Sequence, residues 1–384
     1  MRQWIAPSAP AVVLAPMEGV TDAAMRALQG EIGPFAFAVS EFLRISHAVP
    51  PRHVFYRHVP ELRHDATTPT GLSVQVQLLG GDAGRMAESA GVAVECGALA
   101  VDLNFGCPAP TVNRHDGGAT LLKYPARIRE IVRAVRAAVP RHLPVSAKMR
   151  LGWDATDPVF ENAAMAAEGG ASWVTIHGRT RVAGYAPPIH WGPIGRVRER
   201  LGIPVVANGD IWTVDDFRRC RDATGCEHFM LGRGALADPR LPHRVAAELG
   251  LPAKPIEAEV DWCGLLKRFA EWSDAIRGGR ADGAVRKLKQ WLRLAAQFGE
   301  FAAFDAVKRA DTADEVFRIL SEPAYPAARA AAVASGPHQT PRATTATASA
   351  TTVAAADQLS PSGTAFPFSS VPGSSSVTIR SSRR

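Results

Sequence analysis

Between Val12 and Leu231 the chain repeats one unit eight times: a short apolar run, a cluster of chemically capable residues, then a stretch with helical spacing. The apolar runs are Val12–Pro16, Phe37–Ser40, Ser73–Leu79, Ala100–Asn104, Val145–Met149, Trp173–His177, Val205–Asn208 and His228–Leu231. Each reads as a buried strand. The intervening periodicity is clearest where Ile128, Ile131, Val132 and Val135 recur with Arg127, Arg129, Arg133 and Arg136 between them. Strands alternating with helices imply a parallel sheet, which closes as a (β/α)8 TIM barrel or stays open and doubly wound. The clusters decide between the two. Pro16-Met17-Glu18, Ser40-Glu41, Gln75 and Gln77, Asn104 to Cys107, Lys148 and Arg150, His177 to Thr180, Asn208-Gly209-Asp210 and Gly232-Arg233-Gly234 all sit at strand ends. Barrels carry their active sites there, on the loops that leave the strands. The expected fold class is therefore α/β, a TIM barrel.

After Pro255 the strand signal stops. Residues 255–326 read as a small helical domain, with Leu265, Leu266, Phe269, Trp272 and Ile276 followed by Val285, Leu288, Leu292 and Ala295 at helical spacing. From residue 327 to 384 the chain is Ala, Ser, Thr and Pro with few large apolar side chains. Such a tail cannot bury enough surface to offset its ordering entropy, so it is expected to be disordered. The domains read as a barrel over 1–254, helices over 255–326 and a tail over 327–384. The formal charge is +7, of which the tail carries +4 through five arginines against Asp357. Net charge alone thus says little about a polyanionic partner. The five cysteines form no Cys-x-x-Cys pair, which argues against a disulfide framework and a zinc ribbon. The histidines show no metal-ligand spacing, so no metal is expected. No apolar run reaches the length of a membrane span, and the first ten residues lack a secretory core. A cytoplasmic monomer with reduced thiols follows as the expectation.

Three features carry chemistry. In Val101-Asp102-Leu103-Asn104-Phe105-Gly106-Cys107-Pro108 a strand runs into a Gly-Cys-Pro turn, which places Cys107 at the barrel mouth rather than in the packed interior. A thiol there is mostly protonated at neutral pH and can act as a general acid. Asn208-Gly209-Asp210 and Gly232-Arg233-Gly234 end the seventh and eighth strands, where barrels commonly bind phosphate. Glycine backbone N–H groups can approach the anion, and Arg233 can neutralise it. On residues 284–298, Arg286, Lys289, Gln290, Arg293 and Gln297 fall opposite the apolar face, and no acid shares that side. An ordinary solvated face is usually mixed in sign; an acid-free one suits a phosphate backbone.

Several motifs together resemble the tRNA-dihydrouridine synthase family. They are Leu14-Ala15-Pro16-Met17-Glu18-Gly19-Val20-Thr21-Asp22, Gln75-x-Gln77-Leu78-x-Gly80, Asn104-x-Gly-Cys-Pro with Gly117-Gly118-Ala119, Lys148-x-Arg150-Leu151-Gly152, His177-Gly178-Arg179-Thr180, Asn208-Gly209-Asp210-Ile211 and Met230-Leu231-Gly232-Arg233-Gly234. They occur in family order over about residues 12 to 325. The resemblance implies bound FMN, reduced by NADPH or NADH, with tRNA as substrate. It implies that Pro16, Met17 and Glu18 line the flavin, that Gln77 bonds its polar edge, and that Lys148 sits by the N1–O2 edge, where charge collects on reduction. His177 would lie at the flavin or the substrate base. Cys107 would protonate uracil C5 after hydride reaches C6 of a flipped-out base. Ser40-Glu41-Phe42-Leu43-Arg44 and Lys289-Gln290-Trp291-Leu292 resemble the subgroup that modifies uridine 16. That likeness implies RNA contacts from Arg44, Asn104, Arg150, Lys287, Lys289 and Lys308, beside Arg286 and Arg293 from the helix face. Phe105 stands where some relatives carry a second cysteine, leaving Cys107 as the motif's one thiol. Two other readings stay open at this point: a flavin dehydrogenase acting on a free pyrimidine of the dihydroorotate type, and a non-catalytic RNA-binding module. The first would not need the basic helices; the second would not need Cys107 and Lys148.

Overall fold

A computed structural model describes residues 4–6, 9–113, 116–255, 259–277 and 284–322. The tail expected over 327–384 lies outside the described residues. Eight parallel strands close into a barrel in sequence order. They are β1 (Ala11–Leu14), β2 (Phe37–Arg44), β3 (Ser73–Leu79), β4 (Val101–Phe105), β5 (Val145–Arg150), β6 (Val174–His177), β7 (Val205–Asn208) and β8 (His228–Leu231). Ring closure is direct, since Val13 of β1 pairs with Met230 of β8. The strands read as near-continuous apolar runs because a parallel sheet wrapped by helices is buried on both faces. Helix Pro125–Ala138 shows the sequence logic: Ile128, Ile131, Val132 and Val135 are its buried residues.

The largest departure from the expected strand ranges is in β2. β2 was expected to end at Ser40 but runs to Arg44, across a register shift against β3 between Val39 and Phe42. The Ser40 hydroxyl accepts from Gln77 N at 3.0 Å and donates to Glu41 O at 2.9 Å, so a side chain bridges the interrupted ladder. Such a bulge redirects the side chains that follow it, which is how Phe42 reaches the barrel mouth.

Helices Trp262–Arg277, Ala284–Phe298, Phe304–Val307 and Ala313–Ser321 pack on the barrel and form one compact unit with it. Their core is aromatic. Trp291 meets Trp262 and Phe269 edge-on, with centroids 5.8 and 5.9 Å away, and Trp262 likewise meets Phe301 at 5.4 Å. Trp291 is buried, and its Nε1 donates to Leu236 O at 2.8 Å, which ties this layer to the turn of helix that follows β8. A buried indole N–H needs such an acceptor. Trp272 Nε1 donates to Glu31 at 3.1 Å and fixes the other flank. Among the described residues, no helix is long and apolar enough to cross a membrane.

Candidate active site

The strand ends surround a cavity of about 350 Å3. Pro16, Met17, Glu18, Gln77, Lys148, His177, Asn208, Gly209, Asp210, Gly232 and Arg233 line it, and so do Cys107, Asn104 and Arg150. Every residue expected to hold a cofactor, the expected acid and two of the expected RNA contacts therefore face one space.

The β1 loop is braced from below. Met17 N donates to Thr21 Oγ1 at 2.7 Å, and Arg26 donates to Thr21 O at 2.8 Å while bonding Glu61 through Nε and Nη2. Arg26 and Glu61 are both buried, a placement tolerable only because the pair is bidentate. The Cys107 turn is held by a relay. Asp102, at the barrel centre, accepts from Ser146 Oγ at 2.5 Å and from Gln77 Nε2 at 2.7 Å. Gln77 Oε1 accepts from Asn104 Nδ2 at 2.9 Å, and Asn104 Oδ1 accepts from the backbone N–H groups of Gly106 and Cys107 at 3.0 and 2.9 Å. Gly118 closes the turn at φ +60°; a Cβ there would lie 3.2 Å from Cys107 Cβ.

Gln77 lines the cavity, and its amide is engaged at both ends, Nε2 donating to Asp102 and Oε1 accepting from Asn104. Asp102 reaches Asn104 only through Gln77. Carboxylate and amide sit on neighbouring strands in register, Gln77 opposite Asp102, so the closer partner takes the bond.

Electrostatics divide the mouth. Lys148, Arg150, Arg179 and Arg233 lie on the β5 to β8 side, and Glu18 and Glu41 on the β1 and β2 side. Lys148 Nζ donates to Asn208 Oδ1 at 3.2 Å, and desolvation, aided by Arg150, lowers its pKa from 10.5 to about 8. Burial lowers the His177 pKa well below the usual 6.5, and Arg150, Lys148, Arg179 and Arg233 push it the same way. The imidazole is therefore neutral at physiological pH, and its buried Nδ1 has no hydrogen-bond partner among the described residues. Burial raises the Cys107 pKa, so the thiol keeps its proton near neutrality. Burial, with Glu41 nearby, raises that of Glu18.

The β7 and β8 loops hold the cation expected to meet phosphate. Gly209 adopts φ +113°, where a Cβ would come within 2.7 Å of Ile189 Cδ1. Asp210 binds Arg179 through both carboxylate oxygens and accepts from Arg233 Nη2 at 3.4 Å. One carboxylate thus faces two guanidinium groups, and Arg179, 1% exposed, takes the larger share. Positive charge is left over at Arg233.

The expected RNA contacts separate into three groups. Asn104 and Arg150 belong to the cavity; Arg150 is 3% exposed and donates to Gly106 O, Thr180 O and Gly184 O. Arg44 stands at the end of β2 and donates to Thr111 O at 3.1 Å. On helix Ala284–Phe298, Arg286 and Arg293 are exposed, as the helix period requires. The lysines, Lys289 of the acid-free face and Lys287 and Lys308 from the subgroup likeness, all have partners within the fold. Lys287 bonds Gly19 O at 2.5 Å and pairs with Asp22, Lys289 bonds Ala310 O at 2.8 Å, and Lys308 pairs with Asp305. Packing against the β1 loop and the following turn supplies partners that the helix itself lacks.

Sequence reasoning missed four contributors. Tyr185 and Trp212 line the cavity from the loops after β6 and β7, Arg179 fixes Asp210, and Phe298 closes on Trp212 with ring centroids 4.2 Å apart. Arg179 lies inside a motif read for His177. A single Tyr, Trp or Phe in a loop or at a helix end carries no signal of its own. Among the described residues, no group of three or more His, Cys, Asp or Glu could hold a metal ion.

Comparison with known proteins agrees with this geometry. Residues 13–310 match the family model described as dihydrouridine synthase (Dus). The tRNA-dihydrouridine(16) synthase of Pseudomonas putida is 43% identical over 312 residues, covering 80% of this chain and 96% of that protein. The protein of the same name from Neisseria meningitidis serogroup B is 42% identical, covering 81% and 94%. That from Shewanella oneidensis is also 42% identical, covering 81% and 97%.

Proposed function

Because the chain belongs to the dihydrouridine synthase family, we propose that it reduces uridine 16 of transfer RNA to 5,6-dihydrouridine, with FMN in the barrel mouth and NADPH or NADH as reductant. One observation carries the reading: a thiol kept protonated by burial shares a single cavity with an unpartnered imidazole nitrogen, a buried lysine and an incompletely neutralised arginine. That donor set suits a planar, anionic, phosphate-bearing group. Lys148 and His177 would meet its polar ring edge, Pro16, Met17 and Glu18 would line it, and the Gly209 and Gly232 backbones with Arg233 would hold the phosphate. FMN, when bound, supplies the hydride that adds to uracil C6.

The chain's own part is protonation and placement. The Cys107 S–H delivers its proton to C5, and the thiolate is reprotonated from solvent. The relay from Asp102 through Gln77 and Asn104 fixes the thiol's backbone, so the acid does not have to search for its geometry. A base inside a stacked helix cannot enter a cavity at strand ends, so the uridine must leave the stack. Arg286 and Arg293 would meet phosphates outside the mouth, with Arg44 at the rim. The basic helical layer, needless for a free pyrimidine, favours RNA as the substrate.

Separating the half-reactions tests the proposal. Cys107→Ala should retain FMN and its reduction by NADPH, yet lose dihydrouridine formation by about 10²- to 10⁴-fold, the usual worth of a general acid. Stopped-flow flavin reduction, followed by nucleoside analysis of the tRNA, checks both parts. Equal loss of flavin reduction would remove Cys107 from this role.

A further inference from the structure

Arg233 is surrounded by aromatic rings from three different elements. Its Cζ lies 4.7 Å from the Tyr185 ring centroid, 4.8 Å from Trp212 and 5.5 Å from Phe298. Trp212 and Phe298 stack on each other with planes 17° apart. Trp212 comes from the β7 loop, while Phe298 is the last residue of helix Ala284–Phe298, in the layer that carries Arg286 and Arg293. Leu294 of the same helix also lines the cavity. The helical layer is thus a wall of the mouth.

Aromatic faces do something specific to a guanidinium. Burial alone disfavours its charge, and Asp210 offsets that only in part because Arg179 occupies it. Ring faces attract the cation without using its N–H groups, which lie in the guanidinium plane. Those groups remain available to an oxyanion. We propose that Phe298, through its stack on Trp212, positions Arg233 for the cofactor phosphate, so that the RNA-facing helix also sets the flavin affinity of the barrel. This rests on the FMN reading above. Phe298 is a positioning residue: it acts through Arg233.

Competition between FMN and riboflavin on the full-length protein tests it, because the two share a ring system and differ in the phosphate. Phe298→Ala should lower the preference for FMN over riboflavin about three- to tenfold, the range of a partly desolvated cation–π contact. Phe298→Leu, which keeps apolar volume, should lower it as much, and Phe298→Tyr should restore it. Arg233→Ala should lower the preference further, and adding Phe298→Ala to that variant should change nothing more. Loss of FMN and riboflavin in equal proportion in the Phe298 variants, or additivity with Arg233→Ala, would overturn the proposal. An Arg233→Ala variant with unchanged preference would overturn the phosphate assignment itself, and the inference with it.

Discussion

Asp102 is wholly enclosed, and burial raises its pKa against the side-chain hydrogen bonds of Ser146 and Gln77, the charge of Lys148 and a backbone hydrogen bond at Leu103, which lower it. Removing its charge exposes how much the mouth depends on those bonds. Asp102→Asn presents an N–H2 group toward one of two donors, so Ser146 or Gln77 loses its acceptor and the Asn104 contact loosens. The expected cost is about 1–3 kcal/mol of stability, the penalty of a buried unsatisfied group. Turnover should fall while the rate of flavin reduction holds; thermal melting and half-reaction rates check the two effects. Lys148 gives a pH dependence of definite sign. Its pKa falls from 10.5 to about 8 on folding, so between those values the unfolded chain binds more protons than the folded one. Stability contributed through this group therefore rises with pH from about 8 to 10.5 and is flat below 8. Urea unfolding of flavin-free protein should show this rise in wild type and lose it in Lys148→Met; equal pH slopes would mean the ammonium is not desolvated.

At the level of elements, the helix Ala284–Phe298 has two faces with separate tasks. Leu288, Trp291, Leu292 and Ala295 are buried, while Arg286 and Arg293 are exposed. Trp291→Ala removes the centre of the aromatic layer and the bond to Leu236 O, for an expected loss of about 3–5 kcal/mol seen by calorimetry. Arg286→Ala with Arg293→Ala touches neither and should leave stability within about 0.5 kcal/mol. The same pair should weaken tRNA binding and make the slope of log K against log salt shallower by about one to two units, one for each phosphate no longer neutralised. Titration at several salt concentrations reads this directly, and an unchanged slope would assign the RNA path elsewhere. These faces were legible in the sequence because burial in a helix follows its period. β7 and β8 were legible as well, as short apolar runs ended by Asn208 and Gly232. The β2 bulge was not, since Phe42 and Arg44 fit a strand or a loop equally well until Ser40 is seen to bridge the ladder. The loss of Lys287 to Asp22 was equally invisible, because it depends on a loop more than 260 residues earlier in the chain.

For the molecule as a whole, the barrel gathers at one end residues that the sequence scatters from Pro16 to Arg233, and fold class alone says where they must meet. What alternation of strands and helices does not specify is which long-range partners each polar side chain finds. The motifs named Gln77, Asn104 and Asp210 correctly as residents of the mouth, yet the Asp102 relay and the Arg179–Asp210 pair emerge only when neighbouring strands come into register. Charge is arranged on the same scale, with Lys148, Arg150, Arg179 and Arg233 outnumbering Asp210 on the β5 to β8 side and Glu18 and Glu41 on the β1 and β2 side. That asymmetry suits a cavity holding an anionic cofactor and opening toward a polyanion. The most direct test is to incubate the purified protein and NADPH with tRNA transcribed without modifications, then map the product by mass spectrometry of nuclease fragments. The account predicts a gain of two mass units (roughly 2 Da, one hydride and one proton) confined to the fragment bearing uridine 16, and none with Cys107→Ala. Reduction of free uracil or orotate with tRNA left unchanged, or dihydrouridine at another position only, would contradict it.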